Sequence, residues 1–192
     1  MIKQAPLELG LHELLQKRWS ARSFDQKSIS DDTLRLLFQA AAWSSSSMNE
    51  QPWRFVYGNR GNTTHDAIAS VLMPGNALWA SSAPVLLAVF AKKEFQDGSG
   101  NLHAWHDVGA ACTSLLLQGV AIGIYGHQMG GFDRDKAKQV FAYSDEYDIV
   151  SIIALGYLGD PDALEEPFRT REATPRSRKD PSMFAFSTFD QL

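Results

Sequence analysis

Arginines stand in two close pairs near opposite ends of a 192-residue chain, Arg18 with Arg22 and Arg176 with Arg178, and a serine (Ser20, Ser177) lies inside each pair. Either spacing brings two guanidinium groups near one another from an extended or turning backbone. A guanidinium fork matches phosphate oxygens through two parallel charge-assisted hydrogen bonds, so the chemistry on offer is anion binding. A single surface arginine is ordinarily just solvated; the case rests on two loops of ligand-binding character elsewhere in the chain. One runs from Trp43 to Trp53 and carries Ser45, Ser46, Ser47, Asn49 and Gln51, small donors and acceptors on a short frame closed by Pro52. The other contains Gln128-Met129-Gly130-Gly131, where paired glycines can bring bare backbone amides against a flat ligand, although such a pair is also an ordinary turn.

Other reaction classes find little support. His103, His106 and Asp107 share a helical face, but zinc sites need three or four protein ligands and no further ligand is evident. The chain has no Gly-x-Ser-x-Gly elbow, and its one cysteine, Cys112, sits in an apolar stripe without a histidine partner, so nucleophilic hydrolysis is unsupported. Gly156-Tyr157-Leu158-Gly159 follows a strand but opens no helix, and there is no Walker-type loop.

The elements that must position these groups are legible in outline. Leu7, Leu11, Leu14 and Leu15 predict a first helix that ends near Arg18. Ser30, followed by Asp31 and Asp32, predicts the capped start of a second, with Leu34, Leu37, Phe38 and Ala41 on its inner face. Arg54–Tyr57 alternates as a half-buried strand. Thr64–Leu72 reads as a helix closed by Pro74-Gly75-Asn76. Val85–Phe90 is a continuous apolar run, expected in the middle of a sheet. The longest helix is expected from about Ala104 to Ala121. Gly123–Phe132 is expected to be a glycine-rich connection leading to a short helix capped by Asp133, and Ile149–Leu158 the last long strand. Helices and strands mix without a βαβ rhythm, which predicts an α+β sandwich in one domain spanning residues 1–192.

Composition narrows the partners. A net charge of −4 gives no global attraction to nucleic acid or anionic membrane, and 44% hydrophobic with 21% charged residues is ordinary for a globular protein. No window is long and apolar enough to span a bilayer. The opening residues lack the apolar core of a secretory signal, and a lone cysteine suits a reducing compartment; the expectation is a soluble cytoplasmic protein.

Taken in order, Arg18-x-Ser20-x-Arg22-x-Phe24, Ser45–Trp53, Gly130-Gly131-Phe132-Asp133, Ala154-Leu155-Gly156-Tyr157 and Pro175–Lys179 resemble the motifs of the nitroreductase family of flavin enzymes. The resemblance covers nearly the whole chain, thinning only between Lys92 and Asn101. It implies a three-layer sandwich with a central, mostly antiparallel sheet flanked by helices, in an intertwined homodimer with FMN at each subunit interface. Arg18, Ser20, Arg176 and Arg178 would hold the phosphate and ribityl chain, and Arg22 the pyrimidine side of the ring. Ser45, Ser46, Ser47 and Asn49 would come from the partner. Gln128, Met129, Gly130 and Gly131 would lie against the flavin, with Asn76 near its pyrimidine edge. The implied activity is reduction of nitroaromatics, quinones or enones by NADH or NADPH in a ping-pong cycle centred on flavin N5, with no side-chain acid or nucleophile and no metal. Where many such proteins carry a glutamate, this chain has Gly130, which keeps open a second reading as a flavin-binding or flavin-storage protein with little turnover.

Overall fold

The computed structural model describes residues 3–6 and 9–191. Four strands, β1 (Trp53–Asn59), β2 (Val85–Lys92), β3 (Ile124–Met129) and β4 (Tyr147–Tyr157), form one sheet in the order β1-β2-β4-β3, every neighbouring pair antiparallel. The apolar run expected at Val85–Phe90 becomes β2, buried from Val85 to Ala91 because helices cover both faces of the sheet. On one face lie α2 (Asp31–Ala42) and α5 (Ala104–Ala121), packed on Val85, Leu87, Val89, Ile153 and Leu155. The other face carries α3 (Thr63–Ser70), α4 (Pro74–Ala80) and α6 (Arg134–Phe141), together with Trp19 and Phe24 from the segment before α2. The expected α+β three-layer sandwich is therefore what the chain forms. Among the described residues no helix is long and apolar enough to cross a membrane.

Local signals account for most boundaries. Ser30 caps α2 by accepting from Thr33 N–H, and Asp133 caps α6 by accepting from Lys136 N–H, in each case satisfying an amide the helix cannot. Cys112 lies in the buried stripe of α5, and burial pushes its thiol up to about 12, which leaves it protonated and inert.

Three expectations are corrected. The first helix, α1, spans only Glu13–Lys17; of its expected stripe Leu7 lies outside the described residues, while Leu11 and Leu15 are exposed. Gly10, at φ +62°, takes the chain out of right-handed helical space before the helix can lengthen. Pro74 opens α4 instead of closing α3, because a proline at the first helical position removes an amide that had no partner. The glycine-rich stretch after α5 is an edge strand, β3, with Gly126 pressed against Leu116 and Leu155 where a side chain would not fit.

The stretch between α1 and α2 is tied to the end of β4. Phe24 bridges to Leu158, Asp25 N–H donates to Tyr157 O at 2.9 Å, and Gly159 N–H donates to Ser23 O at 3.0 Å. A Cβ on Gly159 would lie 2.6 Å from the Phe24 carbonyl carbon, so this approach requires glycine. Gly159→Ala is expected to destabilise the protein by about 1–3 kcal/mol, the usual range for overpacking, seen as a melting temperature lower by several degrees. An unchanged melting temperature would mean the docking is not tight.

Candidate functional site

From Trp19 to Phe24 the chain runs extended, and its side chains divide accordingly: Trp19, Ala21 and Ser23 are buried, whereas Arg18 and Arg22 are half-buried and Ser20 is exposed. The two-residue period thus sets Arg18, Ser20 and Arg22 along one outward edge. One peptide group of this segment is gripped from both sides. The Ala21 carbonyl accepts from His127 Nδ1 on β3 at 3.0 Å, and the Arg22 N–H donates to Glu172 Oε1 at 2.9 Å. Ser23 N–H also donates to Glu172 Oε1, at 3.1 Å. Glu172 belongs to α7 (Phe168–Ala173) and is buried.

Arg176 arrives from the far end of the chain. Its Nη1 donates to Arg18 O and its Nη2 to Gln16 O, while its Nε is buried with no hydrogen-bond partner among the described residues. This latch brings Arg176 and Arg178 beside Arg18, and the three line one cleft of about 450 Å³ whose opposite wall is apolar: Ala5, Pro6, Leu9, Leu11 and Leu15. Among the described residues no carboxylate lines the cleft. Burial, then Arg178, lowers the pKa of Arg18; burial, then Arg18 and Arg178, lowers that of Arg176. The cations are close enough to repel one another, an arrangement that favours a bound anion.

Arg22 lies over Trp79, its guanidinium carbon 5.9 Å from the ring centroid, and His127 packs on the same indole at 4.6 Å. Because a carbonyl can only accept, Nδ1 of His127 carries the proton and Nε2 does not. Burial, then the charge of Arg22, lowers the His127 pKa from 6.5 to about 4, so the ring is neutral near pH 7. One helical turn before Trp79, Asn76 donates from Nδ2 to Gly131 O at 2.9 Å. A Cβ on Gly131 would fall 2.7 Å from that Nδ2, while one on Gly130 would meet nothing within 4 Å. Gln128 is exposed, whereas Met129 is buried in the core.

The serine loop lies apart from this cluster: none of Ser45, Ser46, Ser47 and Asn49 lines the arginine cleft. Ser47 N–H donates to Asp107 Oδ2 at 2.9 Å, Ser44 shares a 2.6 Å hydroxyl contact with Ser114, and Ser46 Oγ accepts from Gln51 N–H at 3.0 Å. Met48, Asn49 and Gln51 all hold left-handed φ values near +50° (53°, 57° and 52°) without being glycine, a strained loop that its anchors must hold in shape. Trp53 is buried, but Trp43 is 91% exposed, so only one of the two tryptophans that bound the loop anchors it. Asp107 accounts for the histidine-rich start of α5: it holds the loop and pairs with His106 Nδ1 at 3.1 Å. Sequence reasoning missed His127 and Glu172, and it weighed Asp107 as a metal ligand, not as the anchor of the serine loop. His127 adjoins a singled-out motif; nothing in the sequence marks Glu172.

Since the folded His127 titrates near 4 and an unfolded histidine near 6.5, the unfolded chain takes up the proton first as pH falls. Its contribution to stability is present above the unfolded value and is lost as pH drops through that window. His127→Gln keeps a donor for Ala21 O and is expected to flatten this part of the melting temperature–pH curve. Parallel curves for the two proteins would contradict the assignment.

Comparison with known proteins shows the family of the chain. A model of the Nitroreductase family matches residues 15–157. An uncharacterised 15.4 kDa protein of Mycolicibacterium smegmatis is 32% identical over 142 residues, covering 70% of this chain and 95% of its own. A Xanthomonas oryzae protein with a provisional NADH dehydrogenase/NAD(P)H nitroreductase name is 28% identical over 177 residues, 81% of this chain and 88% of its own. Among solved structures, an oxidoreductase containing FMN superposes with a TM-score of 0.87 at 31% identity, covering 92% of this chain and 91% of that one. With the match running from α1 to the end of β4, the chain belongs to the Nitroreductase family.

Proposed function

We propose that the protein is an FMN-dependent oxidoreductase that works as a homodimer, taking electrons from NADH or NADPH and passing them to small electron-poor acceptors such as nitroaromatics, quinones or enones. The observation that carries this reading is the convergence of Arg18, Arg176 and Arg178 on one cleft. The residues fit the cofactor. A phosphate dianion would relieve the mutual repulsion of the guanidinium groups, accept from Arg18 and Arg178, and give Arg176, whose buried Nε has no hydrogen-bond partner among the described residues, a neighbour of opposite charge. The FMN of the 31%-identical oxidoreductase supports the same reading.

In this assignment Ser20 meets the ribityl chain, Arg22 the pyrimidine side of the ring, and Asn76 its edge. The exposed backbone around Gly130 and Gly131 and the side chain of Gln128 line one face. Ser45, Ser46, Ser47 and Asn49 come from the partner subunit, since the loop that bears them does not reach its own cleft. Trp43 and Met48 on that loop, with Leu102, Phe184 and Phe189, are each more than 60% exposed, apolar surface that a second subunit would cover. Bound flavin supplies reversible two-electron transfer between a nicotinamide and an acceptor that use the same cleft in turn. The protein's part is to hold the phosphate, to orient the ring against β3 and α4, and to keep cationic charge from Arg22 beside the pyrimidine, where it favours an anionic reduced ring.

The open space at Gly130 motivates the alternative, a flavin-storing protein with little turnover, because no side chain there fixes the position of a substrate. Steady anaerobic oxidation of NADH or NADPH with a nitroaromatic acceptor is the expected result; flavin reduction without turnover on added acceptor would favour storage. The double variant Arg18→Ala/Arg178→Ala is expected to be purified colourless while keeping its far-ultraviolet circular dichroism. Full flavin occupancy in that variant would overturn the phosphate assignment.

A further inference from the structure

Glu172 carries more charge than its clamp requires. Its Oε1 alone accepts from both Arg22 N–H and Ser23 N–H. Its Oε2 is buried, makes no hydrogen bond among the described residues, and lies 3.8 Å from Arg22 Nη1. A neutral amide would serve the two backbone donors equally well, and an ionised oxygen buried without a hydrogen-bond partner is unfavourable unless its charge acts on something. The cations it faces are Arg22, whose charged form it favours against burial and against Arg171, and Lys3, which donates to Arg171 O and whose charged form it also favours. His127, on the other side of the same peptide group, is neutral near pH 7 and adds no charge.

We propose that Glu172 is a positioning residue that sets the reduction potential of the bound flavin through Arg22. It fixes where the guanidinium sits, by gripping the Arg22 amide, and it offsets part of that guanidinium's charge. The inference rests on the proposed FMN site and concerns only what α7 adds to it. With Glu172 in place the ring meets a partly compensated cation; with the carboxylate removed it meets a full one. A less compensated cation favours the anionic reduced ring over the neutral oxidised one, so the potential rises. Removing Arg22 while leaving Glu172 reverses the sign.

The test is the two-electron midpoint potential of the flavin-loaded protein, measured by dye equilibration, with oxidised and reduced FMN affinities measured alongside. Glu172→Gln preserves an acceptor for both backbone amides. It is expected to increase the ratio of reduced to oxidised FMN affinity about tenfold, which for a two-electron couple is a potential about 30 mV more positive. Arg22→Gln is expected to move the same ratio in the opposite direction, and it decides the matter if Glu172→Gln does not fold. A purely structural Glu172 would change melting temperature or FMN occupancy with the potential fixed; that outcome in flavin-loaded protein overturns this inference and leaves the flavin site standing. Wild-type protein that takes up no FMN overturns the flavin site and this inference with it.

Discussion

Like charge must be held together before this molecule can use it. Arg18, Arg176 and Arg178 share one partly desolvated cleft, an arrangement that electrostatics alone would disperse. Among the described residues the structure opposes that tendency with backbone rather than with acids. Arg176 donates to the carbonyls of Gln16 and Arg18, which joins the C-terminal segment to the end of α1. Neutralising the cluster internally would have removed its attraction for an anion.

The same economy shapes the rest of the site. An extended segment, Trp19 to Phe24, puts hydrophobic anchors on one side and functional groups on the other. Its position is fixed at three points: Phe24 against the end of β4, His127 on the Ala21 carbonyl, and Glu172 on the Arg22 amide. These anchors come from a central strand, an edge strand and a C-terminal helix, so the segment registers the whole sandwich. The serine loop is built by another route, with left-handed residues held by Asp107 and Ser114 of α5. The arginine cleft and the serine loop are separate in one chain, and the proposed homodimer is what would bring them together.

Much of this was legible in the sequence, for identifiable reasons. Ser30 and Asp133 announced helix starts because capping is a local matter of one side chain and one amide. The α5 stripe and the apolar run of β2 announced themselves by periodicity. The arginine pairs were visible as residue types, but their convergence depends on a 158-residue separation bridged by the Arg176 latch, which no local pattern encodes. Gly123–Phe132 was misread because its glycines look like punctuation; Gly126 is in fact small to let β3 lie against Leu116 and Leu155. The leucines before Arg18 were misread as helix-forming core because their spacing is right, whereas Gly10 breaks the run and leaves Leu11 and Leu15 as one wall of the cleft. Glu172 was invisible because a buried carboxylate at a helix end has no sequence signature distinct from an exposed one.

If the cationic cleft is the organising feature, the ligand should be recognised chiefly by its phosphate and only secondarily by its ring. Titration of the flavin-free protein with FMN and, separately, with riboflavin at the same ionic strength compares two ligands that differ only in that group. The account predicts that FMN binds at least about a hundredfold more tightly, as two or more charge-assisted hydrogen bonds would give, and that the difference shrinks with added salt. Equal affinity for the two flavins would contradict it.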